Sequence, residues 1–244
     1  MTRPPNIADD PLDEILRGII KLGPNFHGAG TLSPQALQAI RLRAPELQIR
    51  HSVETGSGAS TLLLSHLSPQ HTVFALDRGT GSVSNVLRSP LLRPNVVTFV
   101  QGPTQRTLPG YRFVEKLQLV LIDGPHGYPF PDMEYYFLYP HLDAGGLLII
   151  DDIHIRSVHN LFDFVRQDAM FEVDEVIRNT AFFRRTEAAT FDPLGDGWWL
   201  QNYNAEAADP ARLRAVWKEW VLRLLPGPMR RQLSRFRRKL RSWL

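Results

Sequence analysis

Val53-Glu54-Thr55-Gly56-Ser57-Gly58-Ala59-Ser60-Thr61 is the stretch on which the reading of this 244-residue chain turns. An apolar run leads into it and a helix-like run, Ser60–Leu67, leaves it, so it joins a strand to a helix. Glycines at 56 and 58 permit a tight bend and let a ligand come close to the backbone, and Ser60 or Thr61 can cap the new helix. Such a bend by itself is common wherever a strand meets a helix. Two acids sharpen it. Glu54, just before the glycines, can meet a ligand's ammonium group, directly or through water. Asp77 closes the next apolar run 21 residues after Gly56, where an acid is placed to accept hydrogen bonds from ribose hydroxyls. Together they point to an adenosine-containing ligand. A nicotinamide dinucleotide is the alternative, but Thr61 stands where its pattern wants a third glycine, and an acid before the glycines does nothing for a pyrophosphate.

Outward from this turn, from Leu47 to about Trp199, short runs of Val, Ile, Leu and Phe alternate with helix-like stretches, the mark of βαβ units and a parallel sheet. The pattern predicts strands at 48–54, 72–77, 96–100, 117–123, 146–151, 171–177 and 198–203, with a further extended stretch at 181–184. It predicts helices at 60–67, 84–89, 132–142 and 155–167. Ahead of the sheet, 10–22 and 34–44 read as two helices, the second capped by Ser33 with Pro34 at its first position. The expected fold class is therefore α/β: a Rossmann-like, mostly parallel seven-stranded sheet with helices on both faces. The expected divisions are an N-terminal helical segment or lid over 1–45, a core over 46–205 and a basic helical tail over 206–244.

Asp123 ends the fourth predicted strand, and Asp151 and Asp152 end the fifth, so all three should emerge at the carboxyl edge of the sheet, where ligands bind. Three converging carboxylates repel one another, and a divalent cation would relieve this; an all-oxygen site suits Mg²⁺, Mn²⁺ or Ca²⁺. The bland reading leaves Asp123 beside the ligand, Asp151 as a cap and Asp152 solvated. His126 lies in a turn with Gly124, Pro125 and Gly127, where a base titrating near neutrality could sit; a metal-ligand role or a turn role is also open to it. His154 is next in line, and His27 belongs either to a lid or to the framework. Tyr128, Phe130, Tyr135 and Tyr136 are candidates for a pocket wall, with Tyr135 or Tyr136 and Phe137 alternatively facing the sheet. Phe182–Thr186 and Gly195–Trp199 look like elements of a final hairpin.

The segment Glu54-Thr-Gly-Ser-Gly-Ala-Ser-Thr resembles the first motif of class I S-adenosylmethionine-dependent methyltransferases, and Asp77 resembles their ribose-binding acid. Ile122-Asp-Gly-Pro-His-Gly-Tyr128 with Gly145-Gly-Leu-Leu-Ile-Ile-Asp-Asp152 is similar to small-molecule O-methyltransferases of the macrocin O-methyltransferase type. The likeness covers roughly 45–205. It implies that Glu54, Gly56, Ser57, Gly58, Ser60, Thr61, Asp77 and Asp123 serve the methyl donor. It also implies that Asp123, Asp151 and Asp152 hold a divalent cation such as Mg²⁺; some relatives have an acid where Pro125 and His126 stand here, and Asp123 and His126 are the candidates for catalysis. Many members carry an acid after the third strand to contact adenine; Gln101 stands there instead. A non-catalytic adenosine- or nucleotide-binding module and an NAD-dependent oxidoreductase are the competing functions.

The chain has no cysteine, which excludes disulfides, thiolate nucleophiles and thiolate metal sites and fits a cytoplasmic protein. The first sixteen residues lack the apolar core of a secretory signal, and no run reaches the roughly 18 apolar residues of a membrane span. The formal net charge of +3 hides an asymmetry: residues 210–244 carry eleven Lys or Arg and one acid, Glu219, leaving the rest near −7. There Leu213, Val216, Trp217, Trp220 and Leu224 fall at helical spacing, and after Pro226-Gly227-Pro228 a second stripe runs through Met229, Leu233, Phe236, Leu240 and Trp243. Such a tail suits packing in a homo-oligomer or against its own chain, contact with an anionic membrane surface, or, least of all, nucleic acid. The expected partner of the core is a small-molecule acceptor.

Overall fold

A computed structural model of the chain describes residues 10–28, 30–190 and 201–207. The chain forms two compact units, Met1–Asp192 and Pro193–Leu244. The first opens with α1 (Pro11–Leu22) and α2 (Pro34–Leu47). It continues β1 (His51–Thr55), α3 (Ala59–Leu67), β2 (Gln70–Ala75), α4 (Ser82–Arg88), β3 (Val97–Gln101), α5 (Thr104–Thr107), β4 (Leu117–Ile122), α6 (Phe130–Leu138), β5 (Leu142–Ile150), α7 (Arg156–Val165), β6 (Phe171–Ile177) and β7 (Thr180–Arg185). In the second unit the described segment is α8 (Asn202–Ala207).

The seven strands form one sheet in the order β3-β2-β1-β4-β5-β7-β6. All neighbours run parallel except β7, which is antiparallel to both β5 and β6. The order reverses between β1 and β4, and this switch point opens the crevice at their carboxyl ends. All six residues of β4 are buried, as a central strand covered on both faces must be. Leu119 and Leu121 pack with α1, α2 and α3 on one face, while Val120 and Ile122 pack with α6 and α7 on the other. The period of two along the strand thus assigns residues to two cores.

The predicted architecture holds, with local differences. α2 runs past Ala44 through Pro45 to Leu47 and stops where Gln48 turns left-handed, at φ 45°, so β1 starts only at His51. The burial of Leu47 (7 % exposed) rewards the extra turn. The helix predicted at 132–142 ends at Leu138, because Leu142 already pairs with Leu117 in β5. The last strand is a correction: the extended stretch at 180–185 fills that place, and Asn202 and Tyr203, expected in a strand, belong to α8. Residues 198–200 of that predicted strand, the Gly195–Trp199 element and the two tail helices lie outside the described residues. No helix among the described residues is long and apolar enough to cross a membrane.

Candidate active site

β1 ends at Thr55, and the chain must bend at once to enter α3. Gly56 has φ +86°, and a Cβ there would fall inside 3.0 Å of the Asp123 carbonyl oxygen, so this position demands glycine twice over. Gly56 N–H donates to the Phe74 carbonyl (2.9 Å), pinning the bend to β2. Gly58 lies under His27, whose ring would clash with any Cβ there. The N-terminal segment therefore closes over the loop: Gly28 N–H donates to Thr80 O (2.8 Å), and the Asn85 amide donates to Phe26 O (2.6 Å). Burial lowers the pKa of His27, with Asp77 acting against it.

A cavity of about 410 Å³ lies between this segment and the strand ends. Of the residues expected to serve an adenosine ligand, Gly56, Ser57, Gly58, Ser60 and Asp123 line it. Four others do not. Glu54 is fully buried: its carboxylate accepts from Ser60 Oγ (2.6 Å) and Thr61 Oγ1, and His71 Nε2 lies 3.2 Å away. It braces the first turn of α3 from inside the protein and is not presented to a ligand. Thr61 shares that duty, its Oγ1 also accepting from Gly58 N–H (3.0 Å). Asp77 sits two residues past the end of β2. Oδ1 accepts from Gly79 and Gly81 N–H, and Oδ2 accepts from the N–H and hydroxyl of Ser84, at 3.0–3.1 Å. These bonds, the backbone one from Ser84 foremost, lower its pKa. With two bonds to each oxygen, a ribose would have to share acceptors already in use. Gln101 is exposed at the end of β3, and the wall is built instead by the next four residues, 102–105.

The acidic cluster forms with a change of membership. Asp123, His126 and Asp152 each bring a ligand atom within 4.8 Å of the other two. His126 Nε2 is 3.6 Å from Asp123 Oδ1 and 3.2 Å from Asp152 Oδ2. Asp151, expected among the ligands, is excluded: its carboxylate turns to Thr180, whose hydroxyl donates to Oδ1 at 2.5 Å, and it is only 8 % exposed. Burial raises its pKa against that bond, and the Asp152 charge adds to the rise. Burial pushes the Asp123 carboxyl up to about 7, with His126 opposing and the Asp151 and Asp152 charges reinforcing it. Asp123 raises the pKa of His126, and burial opposes that rise. His154 Nδ1 lies 3.5 Å from Asp152 Oδ1 on the exposed side. The donor set fits a divalent cation: two carboxylates and an imidazole converge, and Nε2 of His126 is a buried atom with no well-directed hydrogen bond.

Of the aromatic candidates, Phe130 lines the cavity, Tyr128 is exposed, and Tyr135 is core, stacked on Tyr139 at 4.8 Å. Sequence reading missed Glu134. This residue is completely buried on α6, and its carboxylate takes the space that a Cβ on Gly124 would need. Burial pushes its pKa up to about 7, the neighbouring Thr55 and Thr104 hydroxyls drawing it down, though no hydrogen bond of full geometry reaches it. An acid amid Phe130-Pro-Asp-Met-Glu-Tyr-Tyr136 was the available signal.

Residues 53–153 match the model of a family described as a methyltransferase domain. No curated protein matches the chain. Among solved structures, an O-methyltransferase from Bacillus cereus in complex with SAH is 14% identical, covering 74% of this chain and 93% of that one, with a TM-score of 0.55. TomG from Streptomyces achromogenes, an O-methyltransferase involved in tomaymycin synthesis and solved with SAM, is 14% identical over 73% and 90%, with a TM-score of 0.53. The SAH-bound methyltransferase PaMTH1 from Podospora anserina is 15% identical over 73% and 89%, also at 0.53. At these identities the likeness is one of fold, and the fold is that of the class I methyltransferases.

Proposed function

We propose that this chain, a methyltransferase by its domain and its fold, transfers the methyl group of S-adenosylmethionine to a hydroxyl of a small molecule with the help of a divalent cation. The observation that carries the reading is a juxtaposition. The glycine bend after β1 and the Asp123–His126–Asp152 cluster after β4 and β5 border one crevice at the switch point of the sheet. Neither competing function accounts for both halves: a dinucleotide has no use for the cluster, and a binding module has no need of it.

In this reading the glycine loop and residues 102–105 bind the donor, and His27 with its segment excludes water from above. Asp123, His126 and Asp152 would hold the cation, which when bound lowers the pKa of a hydroxyl beside it. The cluster receives the hydroxyl proton, and half-exposed His154 connects Asp152 to solvent. Charge disappears as the sulfonium methyl moves, so alignment and dryness count for more than a strong electrophile.

The test is incubation of the full chain with methyl-labelled S-adenosylmethionine and hydroxylated acceptors, with Mg²⁺ or with a chelator. Label should move to an acceptor oxygen only with the metal. Transfer undiminished by chelation would remove the cation from the reading, and donor binding without transfer to any acceptor would favour a non-catalytic module.

A further inference from the structure

A second cavity of about 410 Å³ adjoins the first and shares Thr31, Leu32 and Ala59 with it. That volume is in the range of small-molecule sites. One wall is apolar, from Ile19, Ile20, Leu32 and Leu37; Asp151 and Asp152 line another part, and the β6–β7 turn contributes Arg178 and Asn179.

This turn is fastened to the strand exit that carries the cluster. Ile153 N–H donates to the Asn179 carbonyl (2.9 Å), and the Thr180 hydroxyl holds Asp151 (2.5 Å). Arg178 has φ 54°, a left-handed conformation in which glycine is the undemanding choice. The chain keeps a long cation there instead. Neither the Arg178 guanidinium nor the Asn179 side-chain amide has a hydrogen-bond or ion-pair partner among the described residues, although two aspartates line the same cavity. A guanidinium fork without a protein partner, beside an apolar wall and a reactive cluster, suits the anionic end of a molecule whose ring covers the wall.

We propose that this cavity receives the methyl acceptor, and that the acceptor is a ring-sized hydroxylated molecule bearing a carboxylate or phosphate that pairs with Arg178 while its hydroxyl faces Asp152. The inference rests on the methyl-transfer reading for its purpose, though the binding it requires is measurable without turnover.

The experiment titrates the full chain, saturated with adenosylhomocysteine and Mg²⁺, with 3-hydroxybenzoate, 3-hydroxyphenyl phosphate and neutral 3-hydroxybenzamide. At least one anion should bind about tenfold or more tightly than the amide, the worth of a charge-assisted hydrogen bond. Which anion binds more tightly tells carboxylate from phosphate. Arg178→Gln should erase the preference and Arg178→Lys retain part of it, both with unchanged affinity for adenosylhomocysteine. Equal binding of the amide, no binding of either anion, or a preference that survives Arg178→Gln would overturn the inference. Arg178-dependent anion binding with no methyl transfer to any acceptor would sink the methyl-transfer reading alone. Transfer to neutral acceptors, with Arg178→Gln silent, would sink this one alone.

Discussion

Nε2 of His126 lies 3.2 Å from Oδ2 of Asp152, linking the turn after β4 to the exit of β5 across the crevice. The contact brings together two residues 26 positions apart and leaves Asp151, the immediate neighbour of Asp152, outside.

Asp152→Asn should therefore reduce methyl transfer by at least a hundredfold, and leave adenosylhomocysteine affinity within about threefold of the parent, since Asp152 does not line the glycine-loop cavity. Asp151→Asn keeps an acceptor for Thr180 and should retain activity. Calorimetry and a turnover assay on both variants check this; a dead Asp151→Asn beside an active Asp152→Asn would reverse the assignment.

Gly56→Ala puts a Cβ against the Asp123 backbone at a positive φ. The bend must shift, and with it the loop that meets the donor, so adenosylhomocysteine binding should weaken more than tenfold. Calorimetric titration reads this directly.

Glu54→Ala leaves Ser60, Thr61 and His71 without their buried acceptor. The expected cost is roughly 2–4 kcal/mol of folding stability, seen as a lower denaturation midpoint. Unchanged stability with lost donor binding would instead make Glu54 a direct ligand.

Glu134 gives a pH dependence whose sign follows from its raised pKa. The unfolded chain loses this proton near 4.5 and the folded chain near 7, so the stability associated with the protonated form is full below about 4.5 and is lost as pH rises through about 7. Glu134→Gln cannot ionise. Relative to the parent it should gain roughly 3 kcal/mol at pH 8 and little at pH 4. Thermal denaturation of both proteins at the two pH values decides it, and a gain of equal size at both would show that charge is not the cause.

Much of this fold was legible because its signals are local. The Gly56–Gly58 bend, the largely apolar β4 and the Ser33-Pro34 helix start each declare their backbone within a few residues, and the alternation of strands with helices carries the parallel sheet. β7 was harder to read, because an antiparallel strand next to another strand is marked by no crossover helix.

What the sequence by itself determined is the edge at which the chemistry gathers. A parallel strand delivers its last residue to the same side every time, so Gly56, Asp123 and the Asp151-Asp152 pair had to meet there. Only the tertiary structure decided which atoms face the crevice. The backbone turns left-handed at Asp152 (φ 56°), and hydrogen-bond donors capture particular carboxylates: Thr180 takes Asp151, Ser60 and Thr61 across the bend take Glu54, and the turn at 79–84 takes Asp77. Each capture depends on the folded backbone aiming a particular N–H or hydroxyl at the carboxylate, from the next turn for Asp77 and from a neighbouring strand for Asp151, and residue type alone does not encode that aim.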